Sequence, residues 1–248
     1  MIVIFVVVKP LSADTSDSFS GMSEVIPAAT SDVWETMSTA RTIRRFTDEP
    51  VDDTTLRRCL EAATWAPSGA NAQAWRFIVL RSAQQRAVVA EAAAHALAVI
   101  EPVYGMSRPA PDDDSPRARN NRATYELHDR AGEFTSVLFT QKRFPTASEL
   151  LLGGSIFPAM QNFLLAARAQ GLGACLTSWA SYDGEQVLRD AVGVPEDWML
   201  AGHIVVGWPK GRHGPLRRRP VEHAVNADRW DCPIQWDLGE RSDGRNVK

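Results

Sequence analysis

Helix-like and strand-like segments alternate along most of this chain, and no other feature limits its fold as strongly. Residues 31–39 and 53–65 place apolar side chains at helical spacing. Residues 75–80 (WRFIVL) have the length and the β-branched and aromatic content of a buried strand, and an alanine-rich helix follows at residues 83–100. The alternation predicts a mixed α/β domain in which helices cover a sheet.

The same alternation resumes in the second half of the chain. Residues 155–158 (SIFP) are typical of a helix start with proline in the first turn, and this helix is expected to end at residues 171–173 (GLG). Residues 174–179 and 200–207 are predicted strands, with a short helix between them. We find no internal repeat and no linker, so residues 31–238 are predicted to form a single domain.

Residues 105–147 break the alternation. The segment contains several prolines, the acidic run at residues 112–114 and then a group of arginines, with scattered aromatic residues but no sustained apolar stripe. Connections of this length inside compact domains are usually lids or binding loops, or else disordered. We therefore predict an excursion with one or two short helices, which is either a lid or a solvated charged face.

The two ends of the chain are expected to lie outside the domain. Residues 1–30 begin with an apolar run, but no basic residue precedes it, no small-residue cleavage site follows directly, and it is too short to span a bilayer. We expect a disordered leader or an over-extended gene start with Met22 as an alternative first residue. The other possibility is an extra edge strand at residues 2–8. Residues 239–248 are expected to form a flexible tail.

Composition excludes several classes of protein. The 44% hydrophobic and 23% charged residues are typical of a globular protein that is not embedded in a membrane, and the net charge of -3 argues against a nucleic-acid partner. The three cysteines lack the close pairing of a zinc site or a redox pair, and the histidines show no metal-ligand spacing. The sequence therefore predicts a cytoplasmic protein with reduced thiols and no metal.

Two arginine clusters stand far apart in the sequence. Residues 40–46 (ARTIRRF) combine arginines with a hydroxyl group, and residues 216–220 (LRRRP) follow the last predicted strand. The planar guanidinium group matches phosphate oxygens, so each cluster is suited to an anion. One cluster alone is most often a solvated face. Two clusters beside buried segments, in a chain of acidic net charge, favour a shared anion.

A short connector between the second helix and the first strand is rich in hydrogen-bonding groups. Its sequence is APSGANAQAW, residues 66–75. Ser68, Asn71 and Gln73 offer polar contacts for a heterocycle, and Gly69 would let a ring approach the backbone. Pro-Ser-Gly is also an ordinary turn sequence, and composition alone does not decide between the two interpretations.

The order of these motifs resembles the FMN-dependent nitroreductase superfamily, including its iodotyrosine deiodinase branch. ARTIRRF, APSGANAQAW, AMQNFLLAARAQGLGACLTSW and GWP followed by LRRRP occur in the family's order, and the resemblance covers roughly residues 34–230. It implies an α+β, nitroreductase-like fold with a mixed central sheet flanked by helices. It also implies an intertwined homodimer with FMN at the subunit interface, and NADPH or NADH as electron donor.

The resemblance implies an FMN site assembled from distant segments. The arginine clusters at residues 40–46 and 216–220 would contact the phosphate and ribityl chain. Ala40 stands where the family pattern has an arginine. The connector would contact the flavin bound mainly by the other subunit, and the 174–179 strand would line the ring near its reactive nitrogen. The implied cofactor-binding residues are Arg41, Thr42, Arg44, Pro67, Ser68, Gly69, Asn71, Leu176, Thr177, Ser178 and Arg218.

The excursion is the expected site of acceptor recognition. Iodotyrosine deiodinases hold a zwitterionic amino acid with a glutamate, a tyrosine and a lysine, but counting from Trp75 places the glutamate position near Leu97, and no such set is present. The segment instead suits a flat nitroaromatic or quinone, or the phosphates of NADPH. The residues proposed for this role are Arg117, Arg119, Arg122, Tyr125 and Phe144.

The function implied is that of an FMN-dependent NAD(P)H oxidoreductase. It would reduce small aromatic acceptors, nitroaromatics or quinones, by ping-pong hydride transfer through the flavin. Because the cofactor carries the chemistry, no catalytic side chain is expected. Two alternatives remain open: a reductive dehalogenase of the same fold, and a protein that binds or sequesters flavin without turnover.

Overall fold

The computed structural model describes residues 29–236. The expected edge strand, the alternative start at Met22 and residues 1–28 of the expected leader lie outside the described range, as does the tail at residues 239–248. The described chain is attached to the domain from its beginning. The backbone N–H of Thr30 donates to the carbonyl oxygen of Ala169 at 3.1 Å, and its hydroxyl donates to Glu35.

Six helices occur in the described residues, and most begin at a side-chain cap. Asp32, Asp52, Ser82, Ser115 and Ser148 each accept a hydrogen bond from a backbone N–H of the following turn, which satisfies a donor that has no partner within the helix. The helices are α1 (Val33–Thr39), α2 (Asp53–Thr64), α3 (Ala83–Tyr104), α4 (Pro116–Asp129), α5 (Glu149–Ala169) and α6 (Gly184–Val192).

A four-stranded sheet forms the centre of the domain. Its strands are β1 (Trp75–Leu80), β2 (Thr135–Lys142), β3 (Gly173–Thr177) and β4 (Trp198–Gly207), in the order β1-β2-β4-β3. All neighbouring strands run antiparallel, with an irregularity between Phe139 and Thr140. A parallel pairing occurs at the isolated bridge between Thr42 and Ala174. The predicted α+β fold is confirmed. Within the described residues, the parallel pairing expected of a mixed sheet is limited to this bridge.

Helices cover both faces of the sheet. On one face, α2 and α5 pack against β2 and β4, where the Phe139 and Phe163 rings meet edge to face with centroids 5.5 Å apart. On the other face, α3 and α6 pack against Leu138 and Val205. Because side chains alternate along a strand, one strand supplies both cores.

The helices α3 and α5 are long and apolar enough to cross a membrane by length and composition alone. Their buried residues include Ala92 and Ala96 in α3 and Ile156 and Phe163 in α5, and these side chains belong to the two cores. Packing on the sheet accounts for part of the apolar character of both helices, while Val103 of α3 and Leu150 and Leu151 of α5 are exposed.

The excursion predicted at residues 105–147 is wrong in its second half. Residues 135–142 form β2, which is buried from Ser136 to Gln141 and pairs with both β1 and β4. Serine, threonine and glutamine interrupt the apolar run of residues 135–142, and many charged residues precede it. The sequence therefore lacks the continuous apolar pattern that is typical of a buried strand. In the sheet these polar groups find partners, as where Thr140 Oγ1 donates to the carbonyl of Arg76 at 3.0 Å. The first half holds α4, in agreement with the predicted short helix.

The predicted start of the long helix at Ser155 is also wrong. The helix α5 begins at Glu149, where the Ser148 hydroxyl accepts from the Leu151 N–H at 3.3 Å, and Pro158 lies inside the helix rather than in its first turn. Adjacent glycines at 153 and 154 are poor helix formers and concealed the first two turns. Tertiary packing overrides that preference, since Leu152 is buried in the core.

Candidate functional site

A cavity of about 860 Å³ lies between the end of α1, residues 40–44, α5, β3 and residues 213–218. It brings the two arginine clusters of the sequence together. Arg41, Thr42 and Arg44 line one side, and Arg217 and Arg218 come from the other cluster. Between them lies an apolar wall of leucines from α5, β3 and the connection that joins them: Leu164, Leu165, Leu172 and Leu176.

The first cluster is fixed to the edge of the sheet. The Ile43 N–H donates to the carbonyl oxygen of Ala174 at 2.9 Å, next to the Thr42 bridge. Ile43 also packs against Gly173 so closely that a Cβ there would lie 2.7 Å from Ile43 Cγ2. Glycine at 173 therefore permits the approach that holds Arg44 at the cavity, where its Nη1 donates to Asn120 Oδ1 at 3.3 Å.

The second cluster is attached to α1. The Leu216 N–H donates to the carbonyl oxygen of Ser38 at 2.8 Å, which carries the chain back to the cavity after β4. Arg217 and Arg218 are exposed, and Arg218 Nη1 donates to the carbonyl of Arg217 at 2.9 Å. Exposed guanidinium groups beside an open cavity can turn toward a bound anion.

Arg168 adds a buried positive charge that sequence reasoning missed. It lies on α5 with 1% of its surface exposed, and its Nε donates to Thr39 Oγ1 at 2.7 Å. Its Nη2 lies 3.2 Å from Glu35 Oε1. Burial lowers its pKa from the usual range and Glu35 opposes that shift, but an arginine stays protonated at neutral pH. The guanidinium group thus lines the cavity beside Ala40.

His213 is the second residue that sequence reasoning missed. Its ring lines the cavity with 6% of the residue exposed, and neither Nδ1 nor Nε2 has a hydrogen-bond partner in the described residues. Burial first, and then the charges of Arg168 and Arg41, lower its pKa, while the backbone of Gly171 and Leu172 acts in the opposite direction. The imidazole is therefore neutral at pH 7.

The predicted ring-binding residues of β3 point in different directions. Leu176 lines the cavity and is 47% exposed. Thr177, the next residue along the strand, turns its hydroxyl to the opposite face, where Oγ1 lies 2.9 Å from His203 Nδ1 and donates to the His203 carbonyl at 3.2 Å. Burial lowers the pKa of His203 to about 3. The Thr177 hydroxyl is thus occupied by a neutral imidazole, and Ser178 follows at the strand end.

The connector APSGANAQAW is a compact turn that does not line the cavity. Residues 69–71 form a 3-10 turn, and the Ser68 hydroxyl accepts from the Gln73 N–H at 2.8 Å. Asn71 and Gln73 adopt positive φ values of 52° and 46°, which non-glycine residues rarely do. Pro67, Gly69 and Asn71 are exposed. Strain of this kind is often retained at binding sites, so contact with a flavin of a second subunit stays a prediction.

The residues predicted for the lid do not line the cavity either. Tyr125 is buried and donates to Glu101 at 2.7 Å, and Arg122 donates to the Asp113 carbonyl. Arg117 and Arg119 are exposed on α4, and Phe144 is 41% exposed after β2. The helix nevertheless reaches the site, because Asn120 on α4 contacts Arg44.

No nucleophile or metal cluster stands out at the site. Among residues 29–236, no group of three or more histidine, cysteine or acidic side chains is placed to hold a metal ion. Cys175 on β3 is buried, and burial raises the pKa of its thiol to about 11. A thiol with that pKa is protonated at neutral pH and unreactive.

Comparison with known proteins identifies this arrangement. The family model described as the nitroreductase family matches residues 37–208. The chain belongs to the nitroreductase family. It is 29% identical over 184 residues to a 5,6-dimethylbenzimidazole synthase of Rhodospirillum rubrum, covering 70% of this chain and 80% of that protein. It is 27% identical over 192 residues to a nitrobenzene nitroreductase of Ectopseudomonas oleovorans, covering 68% and 82%.

A solved structure supports the same family and its cofactor. A candidate nitroreductase of Desulfovibrio desulfuricans in complex with FMN is 26% identical, with a TM-score of 0.56 over 80% of this chain and 97% of that one. Nitroreductase family relatives support an oxidoreductase. The cavity fits a phosphate-bearing flavin, because it combines guanidinium groups, an apolar wall and the unpartnered polar atoms of His213.

Proposed function

We propose that this protein is an FMN-dependent NAD(P)H oxidoreductase that reduces nitroaromatic or quinone-type acceptors with ping-pong kinetics. The cavity carries the proposal, because arginines from both ends of the domain meet there beside an apolar wall. Guanidinium groups suit a phosphate, and leucines suit a planar ring system. The relative named nitrobenzene nitroreductase supports a nitroaromatic acceptor.

The residues of the chain have separate tasks in this proposal. When bound, FMN supplies the redox chemistry on its ring system. Arg41, Arg44 and Arg218 bind its phosphate, with the Thr42 hydroxyl beside them. Leu176 and its neighbouring leucines exclude water from the apolar wall, which strengthens polar contacts inside the site. Because the hydroxyl of Thr177 is taken by His203, Thr177 offers its backbone to the ring.

The remaining predicted contacts require a second copy of the chain. We propose a homodimer in which the turn containing Pro67, Ser68, Gly69 and Asn71 contacts the flavin held by the other subunit. Exposed apolar side chains support such an interface. They lie on α1 and α5, the helices that flank the cavity, and comprise Val33, Trp34, Met37, Leu150, Leu151 and Phe157.

Initial-rate kinetics tests the proposed reaction. Rates are measured with FMN-loaded protein while NADH or NADPH is varied at several fixed concentrations of nitrobenzene, and again with menadione as the quinone. Parallel double-reciprocal lines are expected, because donor product leaves before the acceptor binds. Intersecting lines would contradict the ping-pong order. Loaded protein that turns over neither acceptor would favour flavin binding without turnover.

A further inference from the structure

The wall of the cavity contains a buried polar group that forms no hydrogen bond with any described segment of the protein. His213 has 6% of its surface exposed, and both ring nitrogens lack a hydrogen-bond partner within residues 29–236. A buried polar atom without a partner is uncommon and destabilises the folded state. Because His213 lies in the wall of a cavity, a bound ligand could supply the hydrogen-bond partner that its ring nitrogens lack.

The surroundings of His213 specify the charge of that ligand. Arg41 and Arg168 line the same cavity, and both lie close enough to influence the imidazole electrostatically. An imidazole next to guanidinium groups remains neutral and keeps one N–H donor and one acceptor nitrogen. A cationic ligand would be repelled at this position. An anion with several acceptor oxygens would take the N–H and also face the arginines.

A purely structural role does not account for the ring. A structural histidine in a core usually forms hydrogen bonds that fix its neighbours, as His128 does where its Nδ1 lies 2.8 Å from the Thr124 carbonyl and its Nε2 accepts from Trp179 at 2.9 Å. His213 forms no bond of that kind in the described residues. The backbone of Gly171 and Leu172 lies near enough to the ring to raise its pKa, but neither residue meets the distance and angle of a hydrogen bond to it.

We propose that His213 is a binding residue for the phosphate of the flavin mononucleotide, donating an N–H hydrogen bond to a phosphate oxygen from the inner wall of the cavity. This rests on the proposed function. The sequence shows why an inner donor is useful. Ala40 lines the cavity next to Arg41 without a side-chain donor, and Arg168 and His213 line the cavity from other parts of the chain.

Flavin binding with and without the phosphate tests the proposal. Dissociation constants for FMN and riboflavin are measured on flavin-free protein by fluorescence quenching, for wild type, His213→Phe, His213→Asn and His95→Phe. His95 is exposed on α3 and serves as the control. In His213→Phe we expect FMN binding to weaken by about 10- to 100-fold, the loss of one charge-assisted hydrogen bond, with riboflavin binding unchanged. His213→Asn keeps a donor and is expected to restore part of the preference.

Other outcomes overturn the proposal. Equal weakening of FMN and riboflavin binding in His213→Phe would make the ring structural, and no change in either dissociation constant would remove it from the phosphate site. Wild type that binds FMN no better than riboflavin would overturn both this inference and the proposed phosphate contacts of the arginines. If His213→Phe does not fold, the imidazole nitrogen NMR signals of His213 in the wild type test the proposal instead. The proposal predicts that these signals shift when FMN binds and stay in place when riboflavin binds, and equal shifts with both flavins would overturn it.

Discussion

At the scale of residues, the cavity combines exposed arginines, such as Arg41 and Arg218, with polar groups that are buried beside or beneath them. Arg168 is 1% exposed and anchored to Thr39 and Glu35, and His203 is fully buried against Thr177. Arg44 is half-buried between β3 and α4. Arg168 and His203 keep their geometry because moving these buried groups would break hydrogen bonds that water does not replace.

Replacing Arg44 is expected to remove one phosphate contact. Arg44→Ala should weaken FMN binding roughly 10- to 100-fold, because a charge-assisted hydrogen bond contributes about 1.5–3 kcal/mol, while riboflavin binding changes little. Flavin fluorescence quenching measures both constants. The matched control is Arg45→Ala, since Arg45 is the next residue but pairs with Glu126 at 2.8 Å outside the cavity. Equal losses in the two variants would contradict the assignment.

His203 is expected to make folding stability depend on pH. Its pKa is lowered to about 3 by burial, whereas an unfolded histidine titrates near 6.5. Below pH 6.5 the unfolded chain therefore binds a proton that the folded chain does not, and His203 destabilises the fold by up to about 1.4 kcal/mol per pH unit as pH falls.

Denaturant unfolding at pH 7.5, 6 and 5 measures this effect as a difference between variants. His203→Gln should lose stability less steeply with falling pH than wild type, while His95→Gln, at an exposed position on α3, should follow wild type. Identical slopes for wild type and His203→Gln would show that the buried imidazole does not remain neutral.

At the scale of elements, the sequence predicted the helices and strands whose formation depends on residues within the same segment. The strand β1 was predicted at residues 75–80 and is found there, and α6 follows its Gly184–Val192 pattern, because periodicity and breakers lie within each segment. The strand β2 was missed because its place between β1 and β4 depends on pairing with distant residues. The start of α5 was predicted too late, at Ser155, because the glycines at 153 and 154 disfavour a helix locally. Burial of Leu152 in the core outweighs that preference, and only the fold shows this burial.

The residues of the candidate site also fall into those that a local sequence pattern predicts and those that only the fold shows. Arg41, Arg44 and Arg218 could be selected because side chains of one type cluster in the sequence, and the fold places them in one cavity. Arg168 and His213 could not, because one arginine in an apolar helix and one histidine in a loop carry no pattern. Their role depends on burial against other segments, which appears only in three dimensions.

The helix α4 is expected to tune selectivity from beside the cavity. Arg117, Arg119 and Arg122 lie on this helix, and Asn120 between them contacts Arg44. Replacing the three arginines with glutamine should raise the KM for NADPH several-fold more than that for NADH, because only NADPH carries the additional phosphate. Steady-state kinetics with both donors measures the ratio. Unchanged KM values and acceptor preference would show that the arginines form only a solvated face.

At the scale of the whole molecule, the described domain leaves an apolar surface uncovered. Leu150 and Leu151 of α5 are 86% and 68% exposed, and Trp34 of α1 is 77% exposed. Large exposed apolar patches on a globular domain usually mark an interface. Met37 of α1 is 49% exposed and also lines the cavity, so a second copy that covers α1 would also close the proposed flavin site.

Disrupting this surface should separate the subunits and release the flavin together. Leu150→Glu with Leu151→Glu is expected to convert a dimer to a monomer in light scattering coupled to gel filtration, with loss of bound FMN in the same fractions. Val103→Glu is the control, because Val103 is 61% exposed on α3, away from α1 and α5. A monomeric wild type that retains stoichiometric flavin would contradict the shared site.

The central claim is that the arginine-lined cavity holds a flavin that cycles between donor and acceptor. Its most direct test is the visible spectrum of the FMN-loaded protein without air, before and after NADPH and then after a nitroaromatic compound. We predict that the oxidised flavin band bleaches with NADPH and returns with the acceptor. A band that stays oxidised with both NADPH and NADH would contradict the claim.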